Sequence, residues 1–134
     1  MEPKEYIEKH FKDVKKSLKK PLEQILIAYS DSHDDVEAKR NLGFHSNTAF
    51  NADLAVRISR DIIGGYNEFD ENCIQGLIDL FGEDSNFYFA RDCSVCIYVE
   101  PSKPFSLYGI SYVNFRADSI YYLPGTEKIK IWWD

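Results

Sequence analysis

Near residue 85 the apolar positions of this 134-residue chain change period, from steps of three and four to strict alternation. The first period lines one face of a helix and the second one face of a strand, so the change divides the chain into a helical front and a stranded back. A parallel sheet needs helices between its strands, and none can be placed there. The order therefore predicts an α+β fold in one domain, 1–134: about three to four helices within 4–82, packed on one face of a four- to five-stranded antiparallel meander within 86–133. Composition supports a packed core, since 12 of the 20 aromatic residues fall in the last 50 positions, where strands favour them.

In the front half, Ile7, Phe11, Val14, Leu18, Leu22, Ile25 and Tyr29 follow a helical stripe. Pro21 interrupts it, which predicts a kink or a second helix with Pro21 in its first turn. A short helix is expected over Asp34–Leu42, ended by Gly43. Another is expected from a Ser46 or Asn47 cap to about Ile63, with Phe50, Leu54, Ile58 and Ile62 on one face and Gly64-Gly65 as its stop. Asn67 is the expected cap of a last helix, about Phe69 to Phe81, with Gly82 after it.

In the back half, Phe87 and Phe89 alternate with Tyr88 and Ala90, and Val95, Ile97 and Val99 alternate with Cys96, Tyr98 and Glu100. Arg91-Asp92-Cys93-Ser94 reads as the hairpin turn between them. Further strands are expected at about Leu107–Arg116, at Ile120–Leu123 and around Ile129–Trp133, with Pro124-Gly125 turning the last pair.

Charge narrows the function classes. Residues 1–20 hold seven lysines against four acids, whereas the other 114 carry a balance of −9, for a net −6. A negative body disfavours nucleic acid, whose affinity rests on clustered Lys and Arg, and favours a basic protein partner. The lysines of the first helix alternate with Glu5, Glu8 and Asp13, as on a solvated face. Among apolar runs Ile25-Leu-Ile-Ala-Tyr29 is far below the length of a membrane span, and Met1-Glu-Pro-Lys-Glu does not open a secretory signal. Three cysteines, an odd number, fit a reducing compartment, so a cytoplasmic protein is expected.

No segment carries a catalytic motif. Cys93-Ser-Val-Cys96 has redox or zinc spacing, but a strand follows it rather than the helix that activates a redox thiol, and no second pair completes a zinc site. His33 beside Asp34 and Asp35, with His45 downstream, lacks the spacing of a calcium loop or a zinc-binding helix. No cofactor, metal or catalytic residue is therefore assigned.

The sheet's outer face remains. If Ile129, Ile131 and Trp133 point to the helices, Trp132 points away, and Tyr98 does so opposite Val95, Ile97 and Val99. The expectation is a non-enzymatic protein-binding module: Asp31, Asp34, Asp35 and Glu37 steer a basic protein, and Tyr98, Tyr112 and Trp132 anchor it. Size, charge and lack of motif fit a toxin-neutralising immunity protein or a phage-type inhibitor, and leave room for a homodimer. The alternative is a small-ligand-binding or hydrolytic α+β domain, with a pocket between helices and sheet that uses His33, His45 or the Cys93/Cys96 pair.

Overall fold

The computed structural model describes residues 2–30, 43–66, 68–107 and 115–133. The expected helix over Asp34–Leu42, Asn67, and most of the strand expected at Leu107–Arg116 lie outside the described residues. The helices are α1 (Pro3–His10), α2 (Lys16–Tyr29), α3 (Ala52–Ile58), which runs on as a π turn (Ser59–Ile63), and α4 (Glu71–Phe81). The strands are β1 (Asn86–Asp92), β2 (Ser94–Glu100), β3 (Ser119–Tyr122) and β4 (Ile129–Trp132), all antiparallel. The class is α+β, helices before sheet, as the change of period requires.

The first helical break falls upstream of Pro21, which sits inside α2. The stripe of apolar residues continues through the break, so spacing alone could not place it. At the break, the guanidinium of Arg57 in α3 donates to the carbonyl oxygen of His10 (3.0 Å) and to both carboxylate oxygens of Asp13 (2.9 and 3.0 Å). The same group lies over the buried Phe11 ring, 4.9 Å from its centroid. Carbonyls at a helix end need such donors.

The helix expected from Ser46 starts later. Asn51 is its cap, accepting from the Leu54 amide at 2.9 Å, and Ser46 and Asn47 precede it in extended chain. That chain is held by the outer edge of β1: the Ser46 amide donates to Phe89, the Arg91 amide to Phe44, and Phe50 exchanges both bonds with Phe87. Paired backbone outweighs the local capping signal here. Gly64, with φ of 69°, ends the π turn as expected. Asp70, not Asn67, caps α4 by accepting from the Asn72 amide at 2.9 Å. Arg116 bonds the same carboxylate at 2.7 Å and holds it below the usual carboxylate range.

The sheet order is β1-β2-β4-β3, which departs from a meander at one point: the β3–β4 hairpin brings β4, not β3, against β2. Apolar content explains the choice. Ile129 and Ile131 of β4 are fully buried, while β3 exposes Tyr121 and Tyr122, so the strand with more to bury takes the central place. Inward residues Phe87, Phe89, Val95, Ile97, Val99, Ile129 and Ile131 join Ile7, Leu22, Ile25, Leu54, Ile58, Ile74 and Phe81 of the helices in one buried cluster. Trp133 lies within it, edge-on to Phe69 at 4.9 Å. Among the described residues no helix is long and apolar enough to cross a membrane.

Candidate functional site

Antiparallel register decides which side chains share the outer face, because residues opposite each other point the same way. Tyr88 pairs with Tyr98, Tyr98 with Lys130, and Lys130 with Tyr121. One row across all four strands is thus Tyr88, Tyr98, Lys130, Tyr121. The next row is Ala90, Cys96, Trp132, Ser119. Tyr88, Tyr98 and Trp132 are half-buried and Tyr121 is 44% exposed.

The side chains of this face are held in place. The Trp132 indole donates to the Asp92 carbonyl at 2.8 Å, and the Asp92 carboxylate pairs with the Lys130 ammonium at 3.4 Å. Lys130 lies 6.0 Å from the Tyr98 ring centroid and 5.9 Å from that of Tyr121, while the Lys128 ammonium sits 3.9 Å over Tyr88. His45, carried on the segment that pairs with β1, meets Tyr98 edge-on at 4.8 Å. The Tyr88 hydroxyl donates to Glu100.

The titratable groups Tyr88, Cys96, Tyr98 and Lys130 of this face all hold their protons more tightly than usual. Burial, then the bond to Glu100, pushes the Tyr88 phenol up to about 12. Burial likewise raises Tyr98. For Lys130 burial works against the charge, but its bond with Tyr121 and the neighbouring Cys96, Tyr98 and Tyr121 groups outweigh it, and the ammonium is held above its usual range. A lysine so shifted is a fixed cation and a poor nucleophile at neutral pH. Burial pushes the Cys96 thiol up to about 11, opposite to what a redox cysteine needs.

The expected outward positions of Tyr98 and Trp132 are where the structure has them. Asp31, Asp34, Asp35, Glu37, Tyr112 and His33 lie outside the described residues. His45 and Cys96 sit on the outer face, so they do not line a space between helices and sheet, where the alternative pocket was expected. Cys93 is exposed in the hairpin turn at φ of 63°, and Cys96 is buried in β2. Among the described residues no group of three His, Cys, Asp or Glu could hold a metal ion.

Three features escaped the sequence reading. Lys128 and Lys130 read as the polar half of an alternating strand; only register shows that they sit among tyrosines. Arg91 reads as a turn residue but is 5% exposed. The loop after β2 runs to the end of α4, where the Ser102 amide donates to the Phe81 carbonyl at 2.8 Å, a contact between segments that no local pattern announces.

The thiols give a direct check of this geometry. With Cys73 at 1% and Cys96 at 0% exposure, only Cys93 should react promptly with an aromatic disulfide reagent at mildly alkaline pH, and the other two only in denaturant. Prompt reaction of a second thiol in the folded protein would contradict the burial of Cys73 and Cys96.

Compared with protein-family models, curated proteins and solved structures, the chain matches none of them.

Proposed function

We propose that this chain is a cytosolic protein-binding module, not a catalyst, and that the outer face of its sheet meets a basic protein. It would act as toxin-neutralising immunity proteins and phage-type inhibitors do, by covering a surface of its target. The observation that carries the reading is the aromatic face itself: Tyr88, Tyr98, Tyr121 and Trp132 set around Lys130 across four strands. Tyr and Trp offer large contact area at small entropic cost, and they are the commonest anchors of protein interfaces. Here the hydrogen bond of Trp132 and the edge-on contact of His45 with Tyr98 order the anchors in advance, which lowers the cost of binding.

The basic character of the partner rests on the charge of −9 carried by residues 21–134. Asp31, Asp34, Asp35 and Glu37 would set the encounter rate. Their joint conversion to amides should slow association at low salt and leave dissociation nearly unchanged; an unaltered rate would remove them from the reading.

Capture from a lysate of the native source tests the whole. One basic protein should be retained by the wild type, and a Trp132→Ala, Tyr98→Ala variant with unchanged circular dichroism should lose it. Two additive anchors of about 2 kcal/mol each predict a loss of roughly 700-fold in affinity. A partner held equally by the variant would place the interface elsewhere.

A further inference from the structure

Two helix ends of this protein carry charge of the wrong sign for their own dipoles. A helix favours acids at its N-terminus and cations at its C-terminus. α2 starts with Lys16 and Lys19 and no acid in its first turn, and its N-cap residue, Lys15, makes no capping bond. α4 is reversed in the opposite sense: its last turn holds Asp79 and no cation, and the exposed Glu83 and Asp84 follow directly. Its end carbonyls are met by neutral donors, the Gly82 amide on Ile78 (2.8 Å), and the Ser102 amide (2.8 Å) and Ser85 hydroxyl (2.9 Å) on Phe81.

The two ends share one surface. A groove of about 500 Å³ between α3 and α4 is lined by the apolar Ala52, Val56 and Ile78 and by three acids, Asp53, Glu83 and Asp84. Glu83 and Asp84 continue with Asp79 into a second groove, where Lys103 is outnumbered three to one. On the other side, Asp53 also lines a groove of about 520 Å³ that reaches the start of α2 at Lys15, Ser17 and Leu18. Arg57 and Asp13, which line that groove too, pair with each other. Among the described residues, the side chains of Asp53, Glu83, Asp84, Lys15 and Lys16 enter no hydrogen bond or ion pair.

An acidic half beside a basic half makes a face complementary to itself. In a two-fold dimer the same patch meets its own copy, so each acidic half lies against the other molecule's basic half, and the contact forms twice. Such pairing relieves both reversed helix ends at once. A foreign basic segment would answer the acidic half alone and leave the lysines of α2 without an opposite charge.

We propose that this face joins two copies of the protein, with the lysines at the start of α2 of each set against Asp53, Glu83 and Asp84 of the other. The aromatic rows of the sheet contribute no residue to it, so the pairing does not depend on the proposed function.

Sedimentation equilibrium of the full chain reads the pairing directly. A reversible dimer is expected at about 50 mM salt, weakened at least about tenfold at about 500 mM, where screening shortens the reach of the charges. Glu83→Lys with Asp84→Lys should give a monomer with unchanged circular dichroism, because lysines then face lysines. Lys15→Glu with Lys16→Glu should do the same, with acids facing acids. Mixed in equal amounts, the two variants should pair with each other: one contact is native, and the other is reversed but still opposite in sign. Misfolding cannot produce that rescue. A wild type that stays monomeric at about 1 mM, a dimer that survives either reversal, or variants that stay apart when mixed would overturn the proposal. So would a monomeric wild type whose captured basic partner is lost on Glu83→Lys with Asp84→Lys, since the acidic grooves would then belong to that partner.

Discussion

Replacing Trp133 with alanine is expected to lower the unfolding free energy by about 3–5 kcal/mol, the usual range for removing a large buried aromatic side chain. Trp133 is 0% exposed, meets Phe69 edge-on, and its indole donates to the Phe115 carbonyl at 2.9 Å. Alanine would leave both a cavity and an unsatisfied carbonyl. Since domains of this size are stable by only about 5–15 kcal/mol, the variant would approach the threshold of folding. Trp133→Phe separates the two effects: it keeps much of the volume and loses the donor, so about 1–3 kcal/mol should be lost. Urea titration measures both. A loss below about 1 kcal/mol for the alanine variant would mean that Trp133 is not the central packing residue described.

Arg91 should prove nearly as important. Its guanidinium donates to the Ala28 carbonyl at 2.7 Å and to the Tyr66 hydroxyl at 3.0 Å, and it lies between the Tyr29 and Tyr66 rings at 5.5 and 5.3 Å. The Ala28 carbonyl belongs to the last turn of α2, where a cation also meets the negative end of the helix dipole. Arg91 therefore ties the end of α2 to β1. Arg91→Met keeps the length and removes the donors, leaving buried acceptors unmatched, and should cost about 2–4 kcal/mol. Arg91→Lys should recover less than half of that, because an ammonium cannot span two acceptors with a planar fork. Thermal and urea unfolding of the pair decide it: equal stability of the methionine variant and wild type would show that the buried charge contributes nothing net.

These two residues also mark what could and could not be read from sequence. The alternation of Ile129, Ile131 and Trp133 with Lys130 and Trp132 announces which tryptophan is core and which is outer face, because a strand's period is short and local. Arg91 announces nothing, since its burial depends on Tyr29 and Tyr66, which are distant in the chain. The same holds for the end of α1, met by Arg57 of α3, and for residues 44–50, whose extended form is imposed by β1. Strand order was illegible for a related reason: pairing of neighbours is the local default, and only the competition between β3 and β4 for the central position overturns it. At the candidate site, sequence could point Tyr98 and Trp132 outward, but the lysine set among tyrosines emerges only when four strands are in register.

The backbone bonds that Phe44, Ser46 and Phe50 share with β1 carry one more consequence. Open strand edges are templates on which identical molecules add, and endless addition requires two receptive edges per molecule. Residues 44–50 already occupy the outer edge of β1. Among the described residues, edge-to-edge addition at β1 would therefore have to displace this segment first, whereas β3 is the other edge strand of the sheet.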